Sequence, residues 1–509
     1  MDQNSQTFGD APPIPDPPPM PGLRPDPGSP QKAGIAWLVL LLVLPLVVVM
    51  QQMQVHAEPE ADASKIAAPR GDDVEVSARM GTRMAYEMPA MAPEFQNQLL
   101  ETVEGMDTPL QRFRAALASR ELVGPERTVK ELESIVDALR AGADDHYNLQ
   151  DEDDQARHAQ LLADARTLLP YYRDIAEEGK DAAALDDETL NGLVERHGYF
   201  GELVRIARLP ADHELRKELL SGATGAFLVL GLTIVIMVLA ILAGVVLGIT
   251  ALVMLGTGKI RWAMPRPARG GSVYLETAVL FVVCFALLQA VQALAAQMGE
   301  AVQMVVGMLA MPAQWLLLLV PLWPMARGVS WSRIRDDLGL RAPRGVFIEI
   351  LAGLGGYLAT LPIVIAGVVV MLLLLMVQEK LFPGDPDAMA PSNPILELAR
   401  TLNPILLVMI FTLATVWAPL CEELVFRGAL FRHLRSRMAL PIAAVLSAMV
   451  FGMMHGYAII QLIPVTILGF NFALIRSWRG SLIGPIAAHA LNNAVVLTLL
   501  FSLAFVLYG

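Results

Sequence analysis

Apolar residues in this chain come in long unbroken runs, and polar residues interrupt them in blocks. The runs occupy residues 33–50, 222–254, 273–297, 302–325, 346–377, 404–421, 440–457, 461–476 and 481–507. A helix needs roughly 20 apolar residues to cross a bilayer, so this pattern predicts about nine membrane spans. The run at 222–254 is long enough to tilt or to project beyond the membrane. Residues 51–220 read differently. Phe95–Leu117, Val129–Ala141, Gln155–Tyr172 and Leu190–Ile206 carry apolar residues at helical spacing with charges between them, and strand-like alternation is scarce. A small helical domain is expected there, after a Met- and Ala-rich linker at 57–94.

The polar blocks give the organisation. Residues 1–32 are proline-rich and cannot bury a core, so a disordered or polyproline tail is expected. The run at 33–50 competes between a secretory signal and an uncleaved anchor. The long proline-rich prelude and the lack of a small-residue cleavage site favour the anchor. Basic residues cluster in alternate loops: Lys259, Arg261, Arg266 and Arg269; Arg327, Arg333, Arg335, Arg341 and Arg344; Arg427, Arg432, Arg435 and Arg437; Arg476 and Arg479. The connection at 378–398 is acidic instead. The positive-inside rule places the four basic loops and the tail in the cytoplasm, and the 51–220 domain outside it. The expected fold class is therefore all-α: a polytopic helical membrane protein of the inner (cytoplasmic) membrane with a small helical extracytoplasmic domain inserted. Accessory transmembrane helices at 221–344 and a membrane core at 345–509 complete the plan.

Composition narrows the function classes. The chain has 509 residues, 54% of them hydrophobic, with formal net charge −12. The acid is concentrated in about residues 57–220, so the charge describes that block and points to no nucleic-acid partner. Cys284 and Cys421 lie in or beside separate apolar runs, which argues against a disulfide framework or a structural zinc site. His146, His158, His197 and His213 sit among charges and read as solvated surface histidines.

Candidate chemistry lies in three short pieces near the end. In Glu422-Glu423-Leu424-Val425-Phe426-Arg427, Glu423 and Arg427 share a helix face and can pair, while Glu422 points away. Two adjacent carboxylates near hydrocarbon resolve their conflict if one pairs with arginine and the other is poised as a base. In Phe451-Gly452-Met453-Met454-His455, the phenyl and imidazole are four apart. In His489-Ala490-Leu491-Asn492-Asn493, His489 and Asn493 are four apart, and together could bind a metal or donate to an oxyanion. Alone, the first piece also fits a juxtamembrane charge cluster on an interfacial helix, and the other two fit interhelical packing, as does Asn471.

The ordered set Glu-Glu-x-x-x-Arg, Phe-x-x-x-His and His-x-x-x-Asn resembles the signature of the CPBP family, the CAAX-protease and bacteriocin-processing intramembrane proteases also called ABI proteins. All three motifs match, and the resemblance covers about residues 345–507. It implies a peptide hydrolase acting on membrane-associated protein or peptide substrates in the bilayer. Glu422 would activate water with His455 beside it. His489 and Asn493 would stabilise the oxyanion or hold a metal, and Glu423 with Arg427 would position the site. The family is commonly called a metalloprotease, so a divalent ion such as zinc held by His455, His489 and Glu422 is one expectation and a metal-free glutamate protease the other. The site is expected to open toward the cytoplasm, with Glu422 at the cytoplasmic end of its span. A non-catalytic scaffold or immunity-type protein and a proton-coupled transporter are the rival classes. The acidic domain is expected to recruit substrate or a protein partner.

Overall fold

The computed structural model describes residues 24–56, 73–91, 97, 108–140, 152–177, 185–381 and 404–508. These are helices and connections, with no β-strand among the described residues, and the protein is an all-α polytopic membrane protein. Most of the proline-rich tail, His146 and most of the acidic 378–398 connection lie outside the described residues.

Eight helices are long and apolar enough to cross a membrane: Pro30–Gln51, Leu228–Gly256, Val273–Gln297, Ala301–Ala326, Val346–Gln378, Pro404–Arg437, Ile459–Arg479 and Ile483–Ser502. The ninth expected span is shorter. Leu440–Met453 has 14 residues, about 21 Å of helix, less than a hydrocarbon core. Its run was read to residue 457, but the backbone turns at Met454–Gly456, where Gly456 holds φ +72°, a conformation that favours glycine.

The helical unit beginning at residue 73 has its own core. Helices Asp73–Glu87, Pro109–Leu122, Pro125–Arg140, Glu152–Ala176, Asp187–His197, Tyr199–Ile206 and Glu214–Leu220 bury Phe113, Leu117, Leu132, Leu168, Tyr172 and Phe200 together. Asp73–Glu87 is part of this core, so the helical unit begins inside the stretch read as linker. The helix expected over 190–206 is two helices, broken at Gly198 with φ +56°. His197 corrects the surface reading: it is buried, with Nε2 2.9 Å from Asp164 Oδ2 and its ring against Phe113. Arg196 donates to the same carboxylate through Nε at 3.0 Å and Nη2 at 2.7 Å. Burial raises the Asp164 pKa, but the bonds from His197 and Arg196 outweigh it and hold the carboxyl below its ordinary value.

In the membrane unit the basic loops converge on one end. Arg432 Nη2 pairs with Asp337 at 3.1 Å, and Arg437 Nη2 donates to the Gly270 carbonyl at 3.0 Å. The Met264 N–H reaches Ser477 at 2.9 Å, and the Leu482 N–H reaches Gly339 at 2.8 Å. Each of the four loops is thereby tied to another. Residues 24–29, expected within the tail, join this end: the buried Asp26 carboxylate accepts from Arg432 Nε at 3.1 Å and lies 3.2 Å from His433 Nδ1. Its carbonyl takes the Gly271 N–H at 2.7 Å. A second clamp is the buried bidentate pair of Arg479 with Glu349, at 2.8 and 2.9 Å. Near it, Gly353 and Gly484 meet backbone to backbone, so the Val346–Leu381 and Ile483–Tyr508 helices cross where a side chain would collide. That crossing fixes the helix carrying His489.

Candidate active site

Glu422 stands midway along Pro404–Arg437, a helix that runs on past the apolar segment ending at residue 421. Arg427 and Arg432 are buried, and the helix continues to Arg437. This long helix is irregular on both sides of Glu422. Leu413–Trp417 and Glu423–Leu430 are π-helical turns separated by the α-helical piece Ala418–Glu422. Pro419 supplies a cause for the first. A proline inside a helix lacks an N–H and collides with the carbonyl four residues back, and a widened turn relieves both problems. In the second, the Phe426 carbonyl accepts from Ser447 Oγ at 3.0 Å. Widened turns of this kind recur at functional sites because they turn side chains out of α-helical register.

Glu423 and Arg427 pair as their spacing suggested: Nη1 to Oε1 is 2.8 Å, and both side chains are fully buried. The same Oε1 is 3.1 Å from Nδ1 of His489. One carboxylate oxygen therefore joins the first motif to the third. With Glu423 accepting, His489 carries its proton on Nδ1 and turns Nε2 toward Glu422, 3.9 Å from Oε2. That gap is too long for a hydrogen bond and short enough for one water to touch both atoms. His455 has a different anchor. Its Nδ1 donates to the Phe451 carbonyl at 2.9 Å, which leaves Nε2 as its unprotonated nitrogen.

Aromatic rings hold these groups in place. The Arg427 guanidinium lies over Phe451 at 4.1 Å and over Phe472 at 5.2 Å, consistent with cation–π contact. His489 stacks on Phe472 with centroids 5.1 Å apart. Phe451 also touches His455 at 4.7 Å and His489 at 5.7 Å, so the phenyl of the second motif sits between the two imidazoles. Gly469 makes room for this stack: a Cβ there would come within 2.9 Å of Arg427 Nη2 and 3.0 Å of Phe451 Cδ1. Glu422 Oε2, Glu423 Oε2, Arg427 Nε, Arg427 Nη2 and Trp417 Nε1 are buried with no protein hydrogen-bond partner. Buried polar atoms in this state call for water or a bound molecule.

Residues 404–495 match the family model described as type II CAAX prenyl endopeptidase Rce1-like. Through this segment the chain is similar to the Rce1-like family. The match takes in Glu422, Glu423, Arg427, His455, His489 and Asn493, and leaves residues 1–403 outside it. Comparison with curated proteins and with solved structures gives no match.

Asn493 is committed in part to its neighbours. Its Nδ2 donates to the Ala414 carbonyl in the first π turn at 2.8 Å, and its Oδ1 accepts from Asn492 at 3.1 Å. Asn471 donates to the Gly356 carbonyl at 3.4 Å, a packing contact between helices. The donor chemistry of Glu422, His455 and His489 suits zinc, since each imidazole has Nδ1 committed and Nε2 open. Yet among the described residues no three carboxylate, imidazole or thiol groups are gathered closely enough to hold one ion. The Rce1-like segment also omits a neighbour that no motif signalled. Gln51, on the Pro30–His56 helix, donates from Nε2 to the Met454 carbonyl at 2.9 Å, one residue from His455.

Proposed function

We propose that the protein is an intramembrane endopeptidase in which Glu422 activates the water that attacks a peptide bond of a membrane-associated substrate. One observation carries this reading: Glu423 Oε1 holds both Arg427 and His489, and so leaves His489 Nε2 facing the less buried carboxylate of Glu422. In this reading Glu423 and Arg427 position the site without touching the reacting atoms.

A water between Glu422 and His489 would give a proton to Glu422 as its oxygen adds to the scissile carbonyl. The tetrahedral oxyanion needs donors already in place. The second N–H of the Asn493 amide is the candidate, while His455 would stand beside Glu422 and orient the attacking water through its unprotonated Nε2. Glu422 would then return its proton to the leaving amine nitrogen, breaking the C–N bond and releasing carboxylic acid and amine. The residues gather as no three-ligand set, so no step of this scheme passes through a metal ion.

The basic end faces the cytoplasm in this reading, by the arginine rule. His489 lies seven residues into its helix from Leu482, about 10 Å from that end. His455 lies past the far end of Leu440–Met453, so water enters beside His489 and the His455 turn is the deeper wall. Substrates would reach the site within the bilayer, and the helical unit at 73–220 would recruit or restrict them. Quantitative proteomics of membranes from cells carrying the wild type or Glu422→Ala tests the proposal. Full-length membrane proteins should accumulate in the variant, with matching fragments in the wild type. Identical proteomes and identical peptide cleavage by the purified proteins would overturn it and leave the scaffold class in its place.

A further inference from the structure

Gln51 is 6% exposed and lies at the end of the first membrane helix, 403 residues before its hydrogen-bond partner. The helix that carries it is anchored along its length. Leu40, Leu44 and Val47 are buried in one cluster with Leu275, Val279 and Val282 of the Val273–Gln297 helix and with Phe426 and Phe431 of the Pro404–Arg437 helix. The Gln51 side chain thus reaches the Met454–Gly456 turn from a fixed support.

That turn needs support. The Leu440–Met453 helix ends there, and its last carbonyls have no partner further along the helix. Gln51 Nε2 caps one of them, Met454, at 2.9 Å. Gly456 lies against the same side chain: a Cβ on it would sit 3.5 Å from Gln51 Cβ. The other bonds of His455 run within its own helix end, from its N–H to Gly452 at 3.0 Å and from Nδ1 to Phe451 at 2.9 Å. Its placement against the rest of the protein therefore depends on where the turn is held. Gln51 Oε1, moreover, is buried with no hydrogen-bond partner. A methionine would fill the volume without burying an unsatisfied acceptor, so the amide is maintained at a cost for what its donor holds.

We infer that Gln51 is a positioning residue for His455: the N-terminal membrane helix, outside the Rce1-like segment, completes the active site by fixing the His455 turn. This rests on the peptidase reading above. The test uses the full chain in proteoliposomes with a peptide cleaved by the wild type, and Glu422→Ala as the blank. Gln51→Met keeps the volume and removes the donor. It should lower kcat about tenfold, since small misplacements of a catalytic group act on rate, and leave KM within about twofold. Gln51→Glu adds a readout that packing alone does not move. Its carboxylate cannot donate to Met454, but its protonated form can, so its rate relative to wild type should climb as pH falls. The same ratio for Gln51→Met should stay flat. Wild-type kcat in Gln51→Met, a change confined to KM, or parallel ratios for the two variants would overturn the inference. If Gln51→Met fails to fold, the Gln51→Glu ratio decides. If the wild type cleaves no faster than Glu422→Ala, the peptidase reading falls and takes this inference with it. If Glu422-dependent cleavage persists at full rate in Gln51→Met, only this inference falls.

Discussion

The Arg427–Glu423 pair is the test that separates positioning from chemistry. Both side chains are fully buried, the pair is 2.8 Å long, and Glu423 also holds His489. Arg427→Met would leave Glu423 buried with only an imidazole partner. Glu423→Gln would leave the guanidinium with two phenyl faces and no anion. Stranding one member of a buried pair costs about 3–5 kcal/mol, whereas replacing both by neutral groups is often close to neutral. Each single variant should therefore lose about 3–5 kcal/mol, a Tm drop of roughly 10 °C on the scaling for domains of this size. The double variant Glu423→Gln/Arg427→Met should recover most of that, giving a coupling energy of about 2 kcal/mol or more. Cleavage should not recover with it, because the amide no longer fixes the His489 tautomer. Unfolding can be followed in detergent with a thiol-reactive dye, since Cys421 is fully buried and becomes reactive only when the core opens. Additive losses in the double variant, or a Tm for Arg427→Met equal to wild type, would refute the reasoning. Restored cleavage in the double variant would refute the positioning role of Glu423.

Glu422→Gln should fold normally and lose cleavage by about 10²–10⁴-fold, the range for a general base; a rate within threefold of wild type would remove it from the mechanism. Chelators should leave cleavage intact, because no three ligating side chains gather among the described residues; loss on chelation that zinc restores would return the metal reading. Gly469→Val would drive branched carbon into Arg427 and Phe451 and should cost about 1–3 kcal/mol together with the activity; Tm and cleavage rate check both. In the helical unit, the Asp164 pKa is held below its ordinary value in the folded protein. Its contribution to stability is therefore complete above the ordinary aspartate pKa and is lost as pH falls through the folded value. Hydrogen exchange over Glu152–Ala176 and Asp187–His197 should lose protection at acid pH in the wild type. Asp164→Asn should show weaker protection already at neutral pH and a smaller change on acidification.

The parts of this site legible in the sequence were those encoded at short range. The Glu423–Arg427 pair follows from i,i+4 spacing, and the long apolar runs became membrane-spanning helices with one shortened by a turn at Gly456. The clustering of basic loops was legible as charge, and the structure ties those loops together at one end. The burial of arginines such as Arg427 and Arg432 was not legible, because in sequence they look like an exposed basic loop. A guanidinium over phenyl rings or between aspartates can remain within the helix bundle. Asn493 shares helix phase with His489, but nothing in the sequence signals that the Ala414 carbonyl of a π turn takes one of its amide hydrogens. His197 looked solvated among charged neighbours because its burial depends on Asp164, 33 residues earlier. Gln51 was least accessible of all. Nothing local marks a glutamine just past an apolar run as part of a site, and its partner is a backbone carbonyl, which no side-chain motif records. The motifs thus name the candidate groups, while long-range hydrogen bonds specify where those groups stand. On this view the first membrane helix belongs to the candidate active site, although the matched segment begins at residue 404.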